Sequence, residues 1–170
     1  LLGELLASAD VPVIVVPGNH DHEPAMWEAM GRDADISDIA GYRCVRFCDH
    51  EHEGHVPWRL SQERTRFERC LADDATLPQV HLQHYVIAPP IEAAYPYNYG
   101  DAEALKAQLI AAGHVHLCLS GHYHRGTEPI QHGPVTFAVG PAMDEPPFPW
   151  RLYDLDETGV TMAEQTLIDH

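Results

Sequence analysis

A chain of 170 residues, 45% of them apolar, is long enough to bury a core and suits one domain over residues 1–170. Ten Lys and Arg against 26 Asp and Glu give a net charge of −16, which leaves no basic footprint for a nucleic-acid groove and repels phosphate groups at long range. No apolar run has membrane-spanning length, so a membrane partner is not expected.

LLGELLASA reads as the end of an amphipathic helix. It has no basic n-region or cleavage pattern of a signal peptide, and with no initiator Met the chain is expected to begin in mid-domain. VPVIVV, residues 11–16, is predicted as a buried strand running into the turn PGNHD. Residues 24–31 are predicted as a short helix with Pro24 in its first turn, and GYRCVRF, 41–47, as a strand. CDHEHEGHVPW reads as a polar loop, and SQERTRFERCLADD, 61–74, as a helix with Ser61 at its N-cap. QVHLQHYVI, 79–87, is a predicted strand followed by the loop APPIEAAYPYNYG. DAEALKAQLIAAG reads as a helix from Asp101 to a stop at Gly113, and VHLCLS, 115–120, as a strand. PVTFAVG, WRLYDLD and TGVTMAEQTLI read as three further strands, the last two a hairpin through residues 156–159. This order predicts an α/β fold with an antiparallel finish.

The four cysteines, Cys44, Cys48, Cys70 and Cys118, form no CxxC pair. A reducing cytoplasm is the expected compartment, with Cys118 a buried thiol. Thirteen histidines are the compositional outlier, and they cluster at 20 and 22; 50, 52 and 55; 81 and 84; 114 and 116; and 122 and 124. Neutral imidazole is the commonest metal ligand among side chains, so a metal or acid–base role is expected.

Three polar clusters follow predicted strands directly: Asn19, His20 and Asp21; His84; and His122 with His124. Ligands in open α/β sheets bind beyond the carboxyl ends of the strands, where these clusters can converge. His81 competes with His84, but three residues apart on a strand they face opposite ways, and His84 is nearer the carboxyl end. In GHVHLCLSGHYH the HxH pattern occurs twice, yet His116 and His122 are six residues apart, about 20 Å of extended chain, so the two pairs cannot share a metal. His50, His52 and His55 could form a further metal site or a solvated loop. Tyr95, Tyr97 and Tyr99 could line a substrate pocket or pack as an aromatic loop.

PGNHD, a lone histidine on a strand and SGHYH, in that order, resemble the calcineurin-like metallophosphoesterases. That family's motifs run D-x-H, G-D-x-x-D, G-N-H-[DE], a lone His and G-H-x-H. GNHD stands here at 18–21 and GHYH at 121–124, while neither D-x-H nor G-D-x-x-D lies among the 17 residues before Gly18. The resemblance implies an αββα sandwich of two mixed β-sheets flanked by helices, here lacking its N-terminal strands. It implies that Asn19, His84 and His122 ligate the second of two divalent metals, and His124 the first. His20 would face the phosphate and assist the leaving group, with Asp21 orienting its ring. The absent motifs would supply the remaining ligands.

A mixed nitrogen and oxygen set suits Mn, Fe, Zn or Co alike. Two such ions about 3.5–4 Å apart clamp a phosphate and activate a hydroxide for in-line attack. The implied function is therefore metal-dependent hydrolysis of a small phosphate mono- or diester. The rival is a non-catalytic pseudoenzyme or metal-binding scaffold, since half of the dinuclear ligand set is missing.

Overall fold

The computed structural model describes residues 2–32, 34–73 and 77–168. Two short helices come first, α1 (Leu2–Ala7) and α2 (Glu23–Met30). A hairpin of β1 (Ile36–Ile39) and β2 (Tyr42–Arg46) follows. Ala40 and Gly41 turn it with φ of 50° and 87°, the positive pair that two-residue hairpin turns need. β3 (His50–Glu51) and β4 (Pro57–Trp58) form a small ribbon around a 3₁₀ turn at Glu53–His55. Then come α3 (Ser61–Ala72), β5 (Gln79–Leu82), α4 (Ala102–Ala112) and β6 (Val115–Ser120). The chain finishes with β7 (Arg125–His132), β8 (Val135–Pro141), β9 (Pro149–Asp156) and β10 (Gly159–Thr166).

Six of these strands make one mixed sheet in the order β1-β2-β5-β6-β8-β7, parallel from β2 to β8 and antiparallel at both edges. Successive strand residues point to opposite faces, so the sheet is covered twice. On one face Phe67 and Cys70 of α3 and Leu105 and Leu109 of α4 pack with Val45, Val115 and Phe137. On the other, Tyr153, Leu155 and Val160 of the antiparallel β9–β10 ribbon cover Val80, Leu117 and Ala138. The α/β class and the mixed sheet flanked by helices are those the motifs implied, and the second β layer described is this two-stranded ribbon. Asp156 closes the ribbon's turn by accepting the backbone N–H groups of Thr158 and Gly159 at 2.6 and 3.2 Å.

Several elements depart from the sequence expectation. Residues 11–16 are not a strand: no described strand pairs with them, and Val11 is exposed. Leu60, not Ser61, holds the N-cap position of α3. The strand expected over 79–87 ends at Leu82. The polar loop at 48–58 contains the β3–β4 ribbon. β7 had no strand signature because Pro129 interrupts it. The register slips between Thr127 and Ile130, and such a bulge on an edge strand is where proline is tolerated.

Candidate active site

The carboxyl ends of β5 and β6 are laced together just where the histidines begin. Gln83 donates its amide to Leu119 O at 2.9 Å and Ser120 Oγ at 3.0 Å, and Gly121 N–H donates to His84 O at 2.9 Å. His84 and His122 are thereby fixed side by side. His122 sits at φ 67°, the left-handed region that non-glycine residues seldom occupy.

The GNHD segment is a closed turn. Asp21 N–H donates to Gly18 O, and Gly18 N–H donates to Asp21 Oδ2 at 2.7 Å. Its glycine lies against the His84 ring: a Cβ there would come within 2.9 Å of His84 Cε1. Gly18→Ala should therefore push the ring aside and weaken divalent-metal binding about tenfold, on the scale of other losses of ligand orientation. Titration of the metal by calorimetry checks this, and unchanged affinity would count against His84 as a ligand.

Three donor atoms converge at the resulting junction. His84 Nε2 is 3.1 Å from Asn19 Oδ1 and 3.0 Å from His122 Nδ1. Ligands about 2.1 Å from a common cation at right angles stand about 3.0 Å apart, so the spacing fits adjacent positions around one ion. No three His, Cys, Asp or Glu side chains group for a metal among the described residues; the third polar atom at this junction is the Asn19 carbonyl oxygen. The Asn19 amide is held by its other end, where Nδ2 donates to Tyr95 Oη at 3.5 Å.

Burial, with His122 beside it, lowers His84 to a pKa of about 4, and burial also lowers His122. Both rings are thus neutral, the ligating form, near pH 7. Because the unfolded chain binds these protons first, the histidines' stabilising contribution is complete above about pH 6.5 and declines as pH falls towards 4. Thermal unfolding in chelator should show Tm dropping across that window, and less steeply in a His84→Gln protein.

A cavity of about 630 Å³ opens beside the cluster. Its walls include His20, Tyr95, Tyr97, Tyr123, His124 and Arg125. His20 is exposed there and has no hydrogen-bond partner among the described residues. Asp21 does not orient it: the carboxylate closes the Gly18 turn and faces a neighbouring cavity of about 240 Å³. His124 Nδ1 pairs with Glu145 Oε1 at 2.6 Å. Tyr95 and Tyr97 pack their rings around His122, with centroids 5.5 and 5.3 Å away. Tyr99 instead is buried with Asp49 and Arg59.

The other histidines go elsewhere. His81 is fully buried between Phe47 and Phe67 and bonded to Gln79. His114 reaches Cys70 O, and His116 lies edge-on to Tyr42. His50 faces Glu23 at 3.7 Å while His55 pairs with Glu51 at 2.9 Å, so that loop does not gather its histidines on one ion. The cysteines are free, and burial raises their pKa values, Cys48 to about 12. Sequence reasoning missed Glu51, Glu145 and Arg125. Of these only Arg125 carried a signal, as one of few cations and the residue next to GHYH.

Residues 1–126, which contain all the converging side chains, match the model of the calcineurin-like phosphoesterase family. The chain belongs to the calcineurin-like phosphoesterase family. It is 30% identical over 132 residues to the 3′,5′-cyclic adenosine monophosphate phosphodiesterase CpdA of Escherichia coli (strain K12). The match covers 72% of this chain and 46% of the relative, and the Escherichia coli O157:H7 protein of that name matches equally. This family member thus spans about half the length of the curated relatives it matches. The family generally uses divalent metals.

Proposed function

We propose that this chain carries the Asn19–His84–His122 half of a dinuclear phosphodiesterase site. The observation that supports it is the convergence of Asn19 Oδ1, His84 Nε2 and His122 Nδ1 within 3.0–3.1 Å steps. These three would hold one divalent cation, and His124, freed from Glu145, would face a second. Bound cations supply Lewis-acid polarisation of a phosphoryl oxygen and a more acidic water.

The chain's own residues do the rest. Tyr95 fixes the Asn19 amide so that its oxygen faces His84. His20, unpaired at the cavity, is placed to give a proton to the leaving oxygen. Gly18 lets the turn approach His84 closely.

The relatives' name is that of a cyclic-nucleotide diesterase. Tyr95, Tyr97 and Tyr123 form a wall suited to a planar group, and about 630 Å³ accommodates a ligand of nucleotide size. The reading is therefore diester over monoester, with a planar organic group. The test is a metal series on the full-length protein with bis(p-nitrophenyl) phosphate, p-nitrophenyl phosphate and 3′,5′-cyclic AMP. Metal-dependent turnover of the diesters is expected. A protein that binds metal but turns over none of them is instead the metal-binding scaffold.

A further inference from the structure

The cavity beside the cluster is lined by two carboxylates and one guanidinium, those of Glu51, Glu145 and Arg125. Both carboxylates are already partnered within the chain. Glu51 accepts the Tyr95 hydroxyl at 2.8 Å and pairs with His55 at 2.9 Å, while Glu145 pairs with His124 at 2.6 Å. The Arg125 guanidinium has no hydrogen-bond or ion-pair partner among the described residues. Among the described residues Arg69 shares that state, while the other eight of the ten Lys and Arg each pair with a carboxylate. Arg43, Arg59, Arg66 and Arg151 each meet a carboxylate within 3.0 Å. The backbone of Arg125 is nevertheless fixed, because it opens β7 opposite Pro141 of β8.

The geometry points to Arg125 as the residue that grips the phosphate of the ester, an assignment that rests on the phosphodiesterase reading of the site. A guanidinium offers planar paired N–H donors that match two non-bridging phosphate oxygens. A chain of net charge −16 repels phosphate at long range, so capture needs a positive group at the site itself. Bound cations would supply part of that charge, and Arg125 supplies a directional part from the protein. Neither Glu51 nor Glu145 pairs with the guanidinium in this structure, so its N–H donors are unengaged at the cavity. The residue is a substrate-binding group acting on the phosphate, one position beyond His124.

The test uses the full-length protein, in chelator and with Mn²⁺, titrated with inorganic phosphate by calorimetry and assayed with bis(p-nitrophenyl) phosphate. Arg125→Ala should weaken phosphate binding about tenfold to a hundredfold and raise KM more than it lowers kcat. Arg125→Lys, which keeps the charge and loses the fork, should recover only part. Arg69→Ala, which removes an exposed arginine from a groove on α3, should match the unaltered protein. Equal phosphate affinity in the unaltered and Arg125→Ala proteins, or no phosphate binding by either, overturns the assignment whatever the hydrolysis result. Arg125-dependent phosphate binding without turnover of any ester overturns the phosphodiesterase reading and leaves the assignment standing.

Discussion

Asn19→Ala and His122→Ala proteins are each expected to lose metal-stimulated diester hydrolysis by at least about a hundredfold, more than the loss of a supporting group around a metal usually causes. Each change removes one of only three converging donors, and neither neighbour can replace it. His84 Nε2 lies 3.1 and 3.0 Å from the two lost atoms, so its own position relaxes as well. Metal content per chain after gel filtration should fall in parallel with rate. His114→Ala is the matched control: its ring reaches Cys70 O at the amino end of β6, the end opposite the site, and activity should stay near that of the unaltered protein. Retained metal and retained rate in the first two proteins would remove the basis of the site.

Asp49→Ala should destabilise the fold by about 3–5 kcal/mol, because it leaves a buried arginine without its carboxylate. Arg59 and Asp49 are both essentially inaccessible, and Arg59 donates from Nε and Nη2 to Asp49 Oδ2 at 3.1 and 2.8 Å. The Tyr99 hydroxyl donates to the same oxygen at 2.6 Å, and the guanidinium lies 3.7 Å above the Phe47 ring. Burial works against the Arg59 charge while Tyr99 and Asp49 favour it, so removing Asp49 takes away part of that support from a guanidinium that keeps its proton in proteins. Urea unfolding of Asp49→Ala and of Asp49→Ala/Arg59→Met separates the pair from its context. The double variant should recover most of the loss, since well-packed apolar replacements of buried ion pairs are often neutral. A single variant as stable as the unaltered protein would mean that water reaches Arg59.

The two tetrapeptides were legible because each is a short turn attached to an apolar run, so its direction could be read without knowing any long-range contact. His84 followed from the same logic: one residue past Gln83, it emerges where β5 has already ended. Tyr95, Glu51 and Arg125 could not be placed that way. Tyr95 reaches Asn19 across 76 residues of sequence and Glu51 across 44, and no local pattern encodes such a meeting. The placement of Asp21 was missed for the opposite reason. Asp21 Oδ2 takes the local hydrogen bond from Gly18 N–H, within reach of an Asp three residues on, and no hydrogen bond to His20 is formed among the described residues. The β-branched run at 11–16 has the composition of a strand, but a strand exists only where a neighbour accepts its ladder.

The left-handed backbone at His122 has a thermodynamic consequence. A non-glycine residue there raises the free energy of the folded chain by about 1–2 kcal/mol, which the bonds of Gly121 to His84 and of Tyr123 to Gly121 offset. The ring is consequently aimed before any ion arrives, and its conformational entropy is lost during folding rather than during binding. Replacing His122 by Gly would relax that backbone and remove the imidazole together, trading a stiffer, less stable loop for a more stable one that lacks one of the three converging atoms.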